Sequence, residues 1–142
     1  MPDAPTRNPT WAWDELVLAC DVVVQNGWPG LDPDDPRVTE LSALLQTLPL
    51  HPQAGRRLDF RNSNGVARKS FDIATAHPGY SGVPTHGGAT DKRVIAEFLA
   101  RPAEMRAEAQ ALRAAASRGD FAGLSTPPLM RTTTWRATKA SS

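Results

Sequence analysis

Between residues 56 and 69 the chain places five basic side chains (Arg56, Arg57, Arg61, Arg68 and Lys69), one acid (Asp59) and two side-chain amides (Asn62 and Asn64) within 14 positions. Arginine and lysine neutralise phosphates, and asparagine pairs with adenine or with backbone phosphate. A helix beginning at this point adds a dipole whose positive end favours an anion. These seven basic and amide residues form a candidate face for double-stranded DNA. The same spacing also fits a solvated helix start whose asparagines only cap it.

A second candidate lies in the segment from His77 to Gly88, where four glycines and two prolines exclude a helix and leave a long loop or a small β-hairpin. Long loops inside compact domains are often functional. Tyr80, flanked by Pro78 and glycines, can stack on a base or shelter an apolar group, which makes His77 and Tyr80 a candidate modified-base pocket. The alternative is an aromatic anchor that pins the loop to the core.

Other chemistries lack their residues. The three histidines, His51, His77 and His86, fall in Pro/Gly-rich loops without metal-ligand spacing. Cys20 lies on the apolar stripe of a helix and reads as core filler; a nucleophile needs an electropositive, partly exposed setting. With one cysteine there is no intrachain disulfide and no cysteine-cluster metal site, which fits a reducing, cytoplasmic compartment. Phosphate-loop and dinucleotide fingerprints are absent. The expectation is a chain without a catalytic constellation, cofactor, metal or membrane span.

These candidates need a scaffold, and the hydrophobic periodicity supplies one. The spacing predicts a first helix over about 11–25, with Thr10 as cap and Trp13, Leu16, Cys20 and Val23 or Val24 on one face. Trp11, Trp13 and Trp28 read as packing residues around it. Asp35 caps a second helix with Pro36 at its first position, and Val38, Leu41, Leu44 or Leu45, and Leu48 line its buried face. Asn62 or Ser63 caps a third, reaching about Thr75, with Val66, Ser70 and Ile73 inward and Phe71 on the flank. Thr90 and Asp91 open a fourth with Val94, Ile95, Phe98 and Leu99 inside. Pro102 begins a fifth that ends near Arg118-Gly119, with Met105, Ala109, Leu112 and Ala116 as its stripe.

The expected fold is mainly α, a single compact domain of about five short helices with a possible small hairpin near 77–88. Residues 1–9 read as an N-terminal arm, 10–119 as the domain, and 120–142, which lack apolar periodicity, as a linker or tail. A length of 142 residues with 40% hydrophobic side chains suits one core. The net charge of +1 conceals a division. Residues 1–50 carry two basic and eight acidic side chains, a balance of −6, whereas residues 51–142 carry fourteen basic and seven acidic, a balance of +7. The acidic half supports a rival reading as a protein-interaction or dimerisation module.

Taken in order, Arg7-Asn8-Pro9-Thr10-Trp11-Ala12-Trp13-Asp14-Glu15-Leu16, Glu40-Leu41-Ser42-Ala43-Leu44-Leu45, Phe60-Arg61-Asn62-Ser63-Asn64-Gly65-Val66, the Gly87-Gly88 loop and the run from Val94 to Phe98 form a recognisable set. Over residues 7 to about 116 the chain resembles the N-terminal head domain of McrA-like, modification-dependent (type IV) HNH restriction endonucleases. The resemblance implies a helical, non-catalytic DNA-recognition module that precedes a sulfur-recognising or SRA-type reader and an HNH nuclease domain. The family often has proline where this chain has Ser63, and a more apolar run where it has Arg68-Lys69-Ser70, so the face here is more basic.

If residues 120–142 are a linker, truncation after Gly119 is expected to leave the thermal midpoint, followed by circular dichroism, within a few degrees of the full chain.

Overall fold

The computed structural model describes residues 7–85 and 87–120. Most of the expected arm, the expected linker beyond Asp120, and His86 lie outside the described residues. Among the described residues there are five helices and no strand: α1 (Trp13–Gln25), α2 (Pro36–Thr47), α3 (Ser63–Ala76), α4 (Ala89–Ala100) and α5 (Pro102–Arg118). None of them is long and apolar enough to cross a membrane.

Helix α1 is the centre of the bundle and packs against the other four helices. Every residue from Trp13 to Val23 is buried, so the expected single stripe becomes an all-round contact surface. Leu16, Leu18, Val23, Leu41, Leu45, Ile73, Phe98 and Met105 meet around it. Leu99, expected inside, is instead exposed, because α4 turns only its Val94, Ile95 and Phe98 face to the core.

Local punctuation sets the ends of most helices. Asp35 accepts the Arg37 N–H at 2.9 Å with Pro36 in the first turn, and Asn62 accepts the Gly65 N–H at 2.8 Å. Gly119, at φ 68°, closes α5 in the left-handed conformation that glycine adopts without a Cβ clash. Helix α1 starts later than expected. Its cap position is Ala12, whose N–H donates to Glu15 Oε1 at 2.9 Å, while the Thr10 carbonyl accepts from Arg61. Thr10 is therefore held by a distant residue and does not cap the helix.

The hairpin expected near 77–88 does not form among the described residues. The Tyr80 N–H closes a turn onto the His77 carbonyl, and the returning chain bonds to α3 side chains in place of an opposing strand. The Thr85 N–H donates to Thr75 Oγ1 at 3.0 Å, and the Thr85 hydroxyl donates to Asp72.

A buried ion pair links α1 to the residue that leads into α3. Glu15 and Arg61 have side chains only 1% and 2% exposed, and Arg61 Nε and Nη2 donate to Glu15 Oε2 and Oε1 at 2.8 and 3.0 Å. His51 Nε2 lies 2.8 Å from the same Oε1, and Arg61 Nη2 also donates to the Pro9 carbonyl at 3.0 Å. The Arg61 guanidinium sits over both Trp11 and Phe60, at 4.6 and 4.7 Å from the ring centroids. The arrangement holds Arg61 at φ 47°, a conformation rare for a residue with a side chain.

Removing one partner of a buried ion pair strands the other, at a cost of about 3–5 kcal/mol. Arg61→Ala is expected to lower the unfolding free energy from a urea titration by that amount, through a lower midpoint at an unchanged slope, whereas Arg113→Ala, which removes the surface pair with Glu40, changes stability by about 1 kcal/mol or less.

Candidate nucleic-acid interface

The N-terminal half of α3 forms one wall of a groove of about 800 Å³, and residues 8–11 form the opposite one. Asn62, Asn64, Arg68 and Lys69 line the α3 side, Asn8, Thr10 and Trp11 line the other, and Arg61 lies at the base. These positions come together because the Arg61 guanidinium holds the Pro9 and Thr10 carbonyls while its own backbone leads directly into the α3 cap.

The candidate DNA face separates into groups with different roles. Arg56 donates to the carbonyls of Gln46, Leu48 and His51 at 2.9, 3.3 and 2.7 Å and stacks on Phe60, so it secures the end of α2 and the turn after it. Arg57 pairs with Asp59 at 2.9 Å on the surface. Arg61 is buried, and its expected phosphate contact is replaced by the ion pair with Glu15, which a charge at that depth requires. Asn62 is the α3 cap, as the structural alternative held. Lys69 is mostly covered, with Nζ 3.0 Å from Asp91 Oδ2 and 5.7 Å from the Trp11 ring centroid. Asn64 and Arg68 are exposed, and Arg68 makes no ion pair or hydrogen bond among the described residues.

The groove is not uniformly positive, since Asp59 and Asp72 also line it. Hydrogen bonds from Arg57 and then Asn8 hold the Asp59 carboxyl below its usual range. At the base, burial alone would push the Glu15 carboxyl up, but the hydrogen bonds from His51 and Arg61 and the Arg61 charge outweigh it and keep the group below its ordinary value. Cys20 is buried, and burial together with Asp21 and Asp91 pushes its thiol up, which leaves it without nucleophilic character. Among the described residues no three His, Cys, Asp or Glu side chains gather as a metal site.

His77 and Tyr80 belong to a separate cleft of about 380 Å³ at the other end of α3. Trp28 and Phe71 line it with them, and Trp28 meets His77 edge to face at 4.4 Å between centroids. Tyr80 is 46% exposed and Phe71 41% exposed, so neither ring is a core anchor.

Sequence reasoning missed Asn8, Thr10 and Trp11 as groove residues and Trp28 and Phe71 as cleft residues. Trp11 and Trp28 read as packing aromatics because nothing within a few positions reveals that α3, some 40 to 60 residues later, faces them. Comparison of the chain with protein-family models, curated proteins and solved structures finds no match.

Because the Glu15 carboxyl is lowered in the fold, its stabilising contribution is complete above its unfolded value of about 4.5 and is lost as the pH falls toward the folded value. Thermal or urea stability is expected to decline below about pH 4.5, and Glu15→Gln, although less stable at neutral pH, is expected to flatten that acid limb.

Proposed function

We propose that this chain is a non-catalytic DNA-binding module that receives double-stranded DNA, including modified DNA, along the N-terminal half of α3. The reading extends to the setting its sequence resembles: a cytoplasmic restriction endonuclease in which sulfur-recognising, SRA-type and HNH domains follow the module. The observation that carries it is the groove in which exposed Arg68 and Asn64 stand beside the α3 N-terminus, with no acid paired to Arg68 among the described residues. A phosphate there gains from both the arginine and the helix dipole, and Asn64 is free to hydrogen-bond.

The rival interaction module rested on the acidic excess of residues 1–50. Much of that charge has partners within the chain: Glu15 with Arg61, Asp21 with Arg106 at 2.9 Å, Asp35 with Arg37 at 2.8 Å and Glu40 with Arg113 at 2.7 Å. Three of these pairs join the acidic half to the basic one, which lowers the excess of residues 1–50 from −6 to −3 and weakens the reason to seek a basic partner.

The test is a mobility-shift titration of the chain on a fixed duplex over a series of salt concentrations. Arg68→Ala is expected to weaken binding across sequences and to lower the slope of log affinity against log salt by about 0.9, the value of one phosphate contact. An unchanged slope, or no duplex binding by the wild-type chain, overturns the reading.

A further inference from the structure

The cleft at the C-terminal half of α3 differs in chemistry from the groove. No Asp, Glu, Lys or Arg is among the residues that line it, and its walls are the rings of Trp28, Phe71, His77 and Tyr80. A free phosphate or a metal finds no counter-charge there, and a cationic ligand finds no carboxylate. What the cleft offers is aromatic surface, with a volume of about 380 Å³ within the range of roughly 300–1,000 Å³ usual for small-ligand sites.

Its geometry is held open by unusual backbone. Trp28 sits at φ 86°, an outlier for a bulky residue, and its N–H donates to the Val23 carbonyl at 2.8 Å, closing α1. A Cβ at Gly30 would overlap the Phe71 ring, and one at Gly82 would overlap the Tyr80 ring, so glycine lets main chain lie directly against both aromatics. The cleft also holds a directional donor. His77 Nδ1 accepts the Gly79 N–H at 2.8 Å, which places the proton of the neutral ring on Nε2. Nε2 has no hydrogen-bond partner among the described residues. An uncharged, planar, apolar-faced ligand with a hydrogen-bond acceptor on its edge satisfies these features together, and a nucleobase outside its stack is such a ligand.

The position of the cleft connects it to the phosphate site. Arg68 and Phe71 are three residues apart on α3 and so lie on adjacent turns of one face, a separation of about 5 Å along the axis. Arg68 borders the groove and Phe71 borders the cleft, so the two sites adjoin along α3. We propose that the Trp28, Phe71, His77 and Tyr80 cleft receives one unpaired nucleobase from DNA held at the α3 groove. The proposal rests on the DNA-binding reading for its source of ligand, and its chemistry is carried by the cleft itself.

The experiment uses one sequence carrying 2-aminopurine in three forms: a fully paired duplex, a duplex in which the 2-aminopurine faces an abasic site, and the single strand. The full chain is expected to bind the abasic-site duplex more tightly than the paired one, because the cost of unpairing is already met, and to quench the probe by ring stacking. Tyr80→Ala and Phe71→Ala are each expected to reduce that ratio of affinities by about 5- to 150-fold, or to unity if it is smaller, the worth of one base stacked on an aromatic. Tyr80→Leu, which keeps an apolar filling without a ring, serves if the alanine variant loses its helical circular dichroism. Equal affinity for the two duplexes, or a preference that survives both ring substitutions in folded protein, overturns the inference while leaving the groove reading intact. If neither duplex binds, the groove reading fails and the single strand decides: quenching that depends on Tyr80 and Phe71 supports the cleft as a base site, and its absence overturns it.

Discussion

A carboxylate buried as deeply as that of Glu15 must be paired or neutralised, and the fold is arranged to pair it. Arg61 arrives from 46 residues away and His51 from 36, and both meet the same carboxylate beneath Phe60 and Trp11. Burying an ion pair contributes little net stability, because desolvation of both ions offsets most of their attraction. Its effect is geometric: only one arrangement of α1, the turn after α2 and the start of α3 satisfies all the donors and acceptors. Arg61 also uses its remaining donor capacity on the Pro9 and Thr10 carbonyls, which fixes the segment before α1.

The candidate interface follows from that constraint. With Arg61 anchored, Asn62 caps α3 at a set position, so Asn64 and Arg68 project from the first turns beside residues 8–11. Helix α3 then serves as a spine with two kinds of surface, a polar and partly basic groove at its start and an uncharged aromatic cleft at its end. The buried arginine organises the exposed one. A basic cluster in sequence is thereby divided into residues that hold the fold and residues that remain available to a ligand.

The charge division along the chain has the same origin. Acids early in the sequence meet bases late in the sequence at Glu15 and Arg61, Asp21 and Arg106, and Glu40 and Arg113. Since α1 touches every other helix, long-range pairing is the natural way to match its acidic residues. The two halves, read separately, suggest an acidic and a basic surface; folded together, part of each charge is matched by the other, while Arg68 is left exposed beside the α3 groove with no ion pair among the described residues.

Residue order alone settles the helical class, the five elements and several of their ends, because these depend on interactions within three or four residues. Asp35 with Pro36, Asn62, Pro102 and Gly119 act on their own turns, and the apolar spacing of Val38, Leu41 and Leu45 or Met105, Ala109 and Leu112 repeats every turn. It did not determine which arginines face solvent. Arg61 and Arg68 are alike in a linear reading, and only the approach of Glu15, His51 and the Pro9 carbonyl withdrew one of them. The same holds for Thr10, whose cap role was displaced by a distant guanidinium, and for Trp28 and Phe71, whose shared cleft exists only where the end of α1 meets the end of α3. Local chemistry fixes where a helix begins; whether a charge or a ring is structural or available depends on neighbours that only the tertiary packing supplies.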